Sequence, residues 1–192
     1  MGKIAYPFFY NKTKINNMAC DISLGRLEPC KDSLGGLKAI YLINYDSGLY
    51  ANCTFTSEEI TALTTPVTCY KYELKGANSF DEANEISREN GTSFWTGTGT
   101  FVLKKQDLET QKELKLLSYG RPQIIVEDYN GNFRLAGIKN GCECAVNTAS
   151  GAAMGDLNGY NITATSQEGE MAHFIDGDIM DDAAGFVVTE GV

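Results

Sequence analysis

The sequence predicts a mainly β fold with one flanking α-helix, and three observations carry that expectation. Thr, Tyr, Phe and Val are well represented while Pro is scarce, 4 in 192 residues, a composition that favours sheets. The stretch Val126–Gly137, VEDYNGNFRLAG, places two short apolar-alternating runs around Asn130-Gly131, the strongest short hairpin signal. Only DLETQKELKLLSYG, near residues 107–119, carries a full set of helix signals. A chain of this length forms one domain with or without extensions and buries about 70 % of its unfolded surface. It has no need of disulfides to fold.

Taken in order, residues 1–36 read as an irregular N-terminal arm in which Met18-Ala19-Cys20 resembles a second start. DSLGG at 32–36 signals a turn. KAIYLINY (38–45) follows as a buried strand, and LYANCTF (49–55) is its expected hairpin partner across Asp46-Ser47-Gly48. SEEITALTT (57–65) opens with a Ser-Glu-Glu signature and predicts a helical turn. In TCYKYELKG, Tyr70, Tyr72 and Leu74 alternate with Lys71, Glu73 and Lys75, which predicts a half-buried strand. Residues 77–91 are polar and aperiodic and read as a long loop, a kind of segment that usually has a function.

TSFWTGTGTFVLKK (92–105) returns as a strand. One face holds Trp95, Gly97, Gly99, Phe101 and Leu103, the two glycines implying a bend or the close approach of another backbone. The helix follows, with Asp107 as N-cap, Glu109 and Lys112 paired at i,i+3, and Leu108, Leu114 and Leu117 free to pack on a sheet. PQIIVEDY and NFRLAGI form a hairpin expected to turn by type I′ at Asn130-Gly131. LNGYNITATSQEGE (157–170) is the last strand of the body at 37–170, and 171–192 form an acidic C-terminal extension ending in FVVTE, a candidate added strand.

The charge is polarised. All 16 Lys and Arg lie within residues 1–139, whereas 140–192 hold nine of the 25 acids and no Lys or Arg. Such asymmetry suits head-to-tail association of copies and argues against gripping DNA, which needs clustered bases. No apolar run approaches a membrane span. The N-terminal residues lack a secretory h-region with its cleavage site and the position-six Ser or Thr of a myristoylation signal. Synthesis in the cytosol is the expectation.

No catalytic, cofactor-binding or metal-ligating residue is assigned. Gly97-Thr98-Gly99-Thr100 lacks the third glycine of a dinucleotide loop and the Gly-Lys-Ser/Thr of a phosphate loop. IDGDIMDDAAGF lacks the sixth-position Gly and closing Glu of a calcium loop. His173 stands without a nucleophile motif. Cys142-Glu143-Cys144 has the wrong spacing for zinc, and in a strand its two thiols share a face as structural groups. Trp95 among tyrosines could stack a sugar, and two carboxylates could meet for hydrolysis, but no spacing selects a pair.

The segments YKYELKG, ISRENGTSFWTGTGTFVLKK, KELKLLSYGRPQIIVEDYNGNFRLAGIKNG and AMGDLNGYNITATSQE, spanning about 68–168, resemble the tail tube (major tail protein) family of tailed phages of Bacteroidetes-type bacteria. The likeness is strongest in SYGRPQIIVEDYNGNFRLAG and AMGDLNGY. It implies a β-sandwich or barrel with one flanking helix, and no enzyme activity or cofactor. Six copies would form a ring, and rings would stack into a tube in the virion tail, contacting neighbouring tail proteins and passing DNA through an acidic lumen without tight binding. The 76–93 segment and the N-terminal arm would reach neighbouring rings. The first 17 residues and the acidic end depart from the pattern, leaving a hub, completion or terminator ring as a related role. A monomeric carbohydrate-binding β-sandwich using Trp95, and a two-carboxylate hydrolase, are the readings from other classes.

Overall fold

The structure, a computed structural model, describes Ile22 and residues 24–191. Residues 1–17, whether arm or gene-start artefact, lie outside the described residues. The chain divides into a unit ending at Asp32 and a unit from Ser33 onward. In the first, residues 22 and 24–30 carry no helix or strand, and Ile22, Leu24 and Leu27 are exposed.

The second unit is mainly β, with two sheets and a flanking helix. Its elements run β1 (Leu37–Ile43), α1 (Leu49–Asn52), β2 (Cys53–Thr56), β3 (Glu59–Leu63), β4 (Val67–Glu73), β5 (Ser79–Ser87) and β6 (Thr92–Lys104). Then follow α2 (Leu108–Tyr119), β7 (Gln123–Asp128), β8 (Phe133–Ala136), β9 (Cys142–Ala149), β10 (Gly159–Glu168), β11 (His173–Ile175), a 3-10 turn at Gly177–Ile179 and β12 (Phe186–Glu190). Eight strands form one sheet in the order β12-β4-β1-β7-β8-β11-β3-β2, and four form the other in the order β5-β6-β10-β9.

Two apolar cores explain the pattern of side chains. Between the sheets, Ile40, Leu42, Ile124 and Val126 of the large sheet meet Phe101, Leu103, Tyr160 and Ile162 of the small one, with Leu114 of α2. On the other side of the large sheet, Tyr41, Ile43, Ile125 and Leu135 gather with Ile60, Ile175, Ile179 and Phe186. Residues from both ends of the large sheet, Phe55 of β2 and Val188 of β12, pack on this second core, so the sheet curls around it. β1 and β7 are thus buried on both faces, and the unbroken apolar run Ile124–Val126 in the middle of β7 follows from that. Truncating any of these large buried side chains to Ala should cost about 2–5 kcal/mol.

Several expectations are met. α2 starts where Asp107 accepts from the Thr110 N–H at 2.7 Å, and Glu109 pairs with Lys112 at 2.9 Å. That N–H bond holds the Asp107 carboxyl below the usual carboxylate range. Leu114 is buried and Leu117 packs on the inter-sheet core. Leu108, by contrast, is exposed, because it opens the helix on the side away from the sheets. FVVTE is a strand, pairing parallel with β4 from Phe186↔Val67 to Glu190↔Lys71. Residues 171–190, expected as an extension of the body, supply two strands to its large sheet and bury Ile175, Ile179 and Phe186 in its second core.

Four local expectations are corrected. LYANCTF does not pair with β1, whose two hydrogen-bonding edges are taken by β4 and β7. The buried Gln123 amide bonds to Asp46 N and O and to Ile138 O, which holds the chain leaving β1. Leu49–Asn52 then forms a short helical turn. Residues 57–65 are not helical: β2 and β3 are joined by a two-residue turn with positive φ at both Ser57 and Glu58, the hallmark of type I′. The Asn130-Gly131 turn is not of that type. Only Gly131 of the pair has positive φ, its N–H donates to Asp128 O at 3.2 Å, and Asp128 N donates to Asn132 O at 3.1 Å. This is a three-residue loop, stiffened by Asp128 Oδ1, which accepts from Asn130 N and Asn132 N.

Finally, residues 79–87 are no loop but the edge strand β5, paired with β6 from Ser79↔Thr100 to Ser87↔Thr92. Their lack of apolar alternation follows from position. Only Phe80 and Glu82 lean inward, and the remaining side chains up to Ile86 are exposed. The glycines of β6 meet side chains rather than another backbone. A Cβ on Gly99 would lie 2.3 Å from the Phe101 ring, and one on Gly97 would lie 2.5 Å from Ser166 Oγ and 3.1 Å from the Phe80 ring.

Candidate assembly surfaces

Each motif weighed in the sequence has a defined place in the fold. Gly97 to Thr100 lie inside β6. In IDGDIMDDAAGF, Asp176 accepts from Asp178 N at 3.1 Å and Asp182 from Ala184 N at 3.3 Å. Among the described residues no group of three or more His, Cys, Asp or Glu is placed to hold a metal ion. Cys142 and Cys144 are buried and free on one face of β9. Burial pushes the Cys144 thiol up to about 12 and raises that of Cys142 as well.

His173 lies in β11, its ring 4.9 Å from that of Phe55. Its Nδ1 is 3.3 Å from Glu58 O, and its Nε2 is 3.2 Å from Glu170 Oε2 but outside hydrogen-bond geometry. Lys139 bonds Glu170 at 3.0 Å and sits 4.0 Å above the Tyr50 ring. The Lys139 ammonium holds the Glu170 carboxyl below its ordinary range. This group ties β11 to the β2–β3 hairpin.

Trp95 stands with Glu82, Ser166, Glu168 and Lys139 at the polar end of the inter-sheet space, around a depression of about 10 Å³. That is room for about one water molecule, against the several hundred Å³ of a ligand pocket. The acids there hold backbone. Glu82 accepts from Ala172 N at 2.8 Å, and Glu168 accepts from Lys139 N and Asn140 N at 2.9 and 2.8 Å. Sequence reasoning passed over both acids. The available signal was strand parity, since Glu168 continues the inward series Tyr160, Ile162, Ala164 and Ser166. A third buried acid, Glu127, accepts from the Tyr41 hydroxyl at 2.7 Å and pairs with Lys38.

What the described residues leave open is backbone. β5 and β9 end the small sheet, and β12 and β2 end the large one. β5 is nine residues long, next to solvent along its outer side, and Ile86 near its end is 76 % exposed. Asp81, Glu85 and Glu89 stud the same region, the kind of charge that discourages indiscriminate edge pairing. α2 exposes Leu108, Leu116 and Tyr119, and strands β11 and β12 expose Phe174 and Val187. No helix among the described residues is long and apolar enough to cross a membrane. Comparison with known proteins gives no matching family model, no matching curated protein and no matching solved structure.

Proposed function

We propose that this chain is a self-assembling virion structural protein that forms rings, six-membered by the resemblance in its sequence, which stack into a phage tail tube for DNA passage. The observation that carries this reading is the long open edge of β5, backed by a paired hairpin and ending in exposed Ile86. An edge strand with free N–H and C=O groups is a template for another chain, and symmetric closure of such contacts makes a ring. The charge asymmetry supports the same reading: residues 140–192 carry nine acids and no Lys or Arg. Acids of this region on a lumen wall would repel phosphate and let DNA slide. Neighbouring tail proteins would meet the ends of the stack. A hub, completion or terminator ring would draw on the same edges.

Ile86→Lys tests the edge. Ile86 is exposed, so the substitution should leave the melting temperature nearly unchanged. It should shift size-exclusion elution from assembled species toward the 20.9 kDa protomer. Assembly unaffected by the substitution would remove β5 from the interface.

A further inference from the structure

The outward face of α2 has an unusual make-up. At 100° per residue, Leu108, Lys112, Lys115, Leu116 and Tyr119 fall within a stripe about 100° wide. Leu108, Leu116 and Tyr119 are 66, 64 and 78 % exposed, and no acid lies within the stripe. Glu109 and Glu113 flank it, and Glu109 pairs with Lys112 at 2.9 Å. Both partners of that pair are largely exposed, so it is weak and open to exchange. Lys115 makes no ion pair among the described residues.

The complementary surface lies on the other side of the molecule. Ile175–Asp182, IDGDIMDD, carries Asp176, Asp178, Asp181 and Asp182 with no base. None of the four is in an ion pair among the described residues. Ile179, between the acids, anchors the segment in the second core, whereas Leu114 and Leu117 anchor α2 on the inter-sheet core. The eight-stranded sheet separates the two cores, so one molecule cannot bring its own two surfaces together.

We infer that the Leu/Lys/Tyr stripe of α2 docks on the Asp176–Asp182 segment of a second copy of this chain. The inference rests on the self-assembly reading and gives it a specific interface. Two different surfaces meeting front to back make a heterologous contact, which closes into a ring or continues as a filament. The lysines supply steering and register, and the apolar side chains supply the buried area.

Charge-reversal pairs on the whole chain test it by sedimentation velocity at low salt. Lys112→Glu with Lys115→Glu should weaken self-association by about tenfold or more, and so should Asp178→Lys with Asp182→Lys. All four changes in one chain should restore association, and so should an equimolar mixture of the two double variants. Melting temperatures near that of the parent show that each variant is folded. Association of the parent chain that neither reversal weakens, or losses that the combined variant fails to restore, would overturn this interface while leaving assembly through β5 standing. A parent chain that stays monomeric at every concentration would overturn both.

Discussion

Cys142 and Cys144 show how far single residues could be read. Period-two spacing put both thiols on one face, and both are buried there, free, with their thiols held protonated by the apolar surroundings. Burial likewise pushes Cys53 and Cys69 up to about 11. Cys30 is exposed. A maleimide at pH 7.5 should therefore label Cys30 within minutes in the native chain. Cys53, Cys69, Cys142 and Cys144 should label only in denaturant, because thiolate and access are both required. Peptide mapping by mass spectrometry checks this, and rapid native labelling of Cys142 would contradict the packing of β9. The buried acids were not legible in the same way. Strand parity points inward at Glu168 alone, and only the tertiary fold brings Tyr41 to Glu127, Ala172 to Glu82 and the 139–140 turn to Glu168.

At the scale of elements, the strands with an apolar face and the capped helix were legible, and those without one were not. β6, α2, β7, β8 and β10 follow their patterns. β5 was hidden because its outward face is wet and its inward face holds only Phe80 and Glu82 near its start. β2 was read as part of a strand from Leu49 and given the wrong partner, and β3 was hidden because Ser57-Glu58-Glu59 imitates a helix start, while the neighbouring Ile60 and Thr61 favour extended backbone. The glycines of β6 were read as a bend or the close approach of another backbone, whereas side chains fill the space above them. Gly99 makes room for the Phe101 ring, so Gly99→Ala forces that ring off its seat in the inter-sheet core. The expected loss is about 1–3 kcal/mol, measured by chemical denaturation, with Thr98→Ala on the exposed outer face nearly neutral. A Gly99→Ala chain as stable as the parent would mean that the ring has another place to go.

For the whole molecule, the β content and the charge polarity could be read from the chain, whereas the topology could not. β12 returns across more than a hundred residues to lie parallel to β4, and β11 meets β3 through Ile175↔Ile60. No local signal specifies pairings between segments so distant in sequence. Those returns fold the acidic end into the large sheet and set it on the far side of that sheet from α2. They leave a molecule with a long open edge at β5 and unlike surfaces on opposite sides, which is why assembly is its proposed role. Negative-stain electron microscopy of the purified chain over a wide concentration range, alone and with the neighbouring tail proteins that the proposed role implies added as initiators, tests this most directly. The account predicts rings with a central hole, or tubes made of stacked rings. Particles of single-protomer size under every condition, with the initiators present, would contradict it.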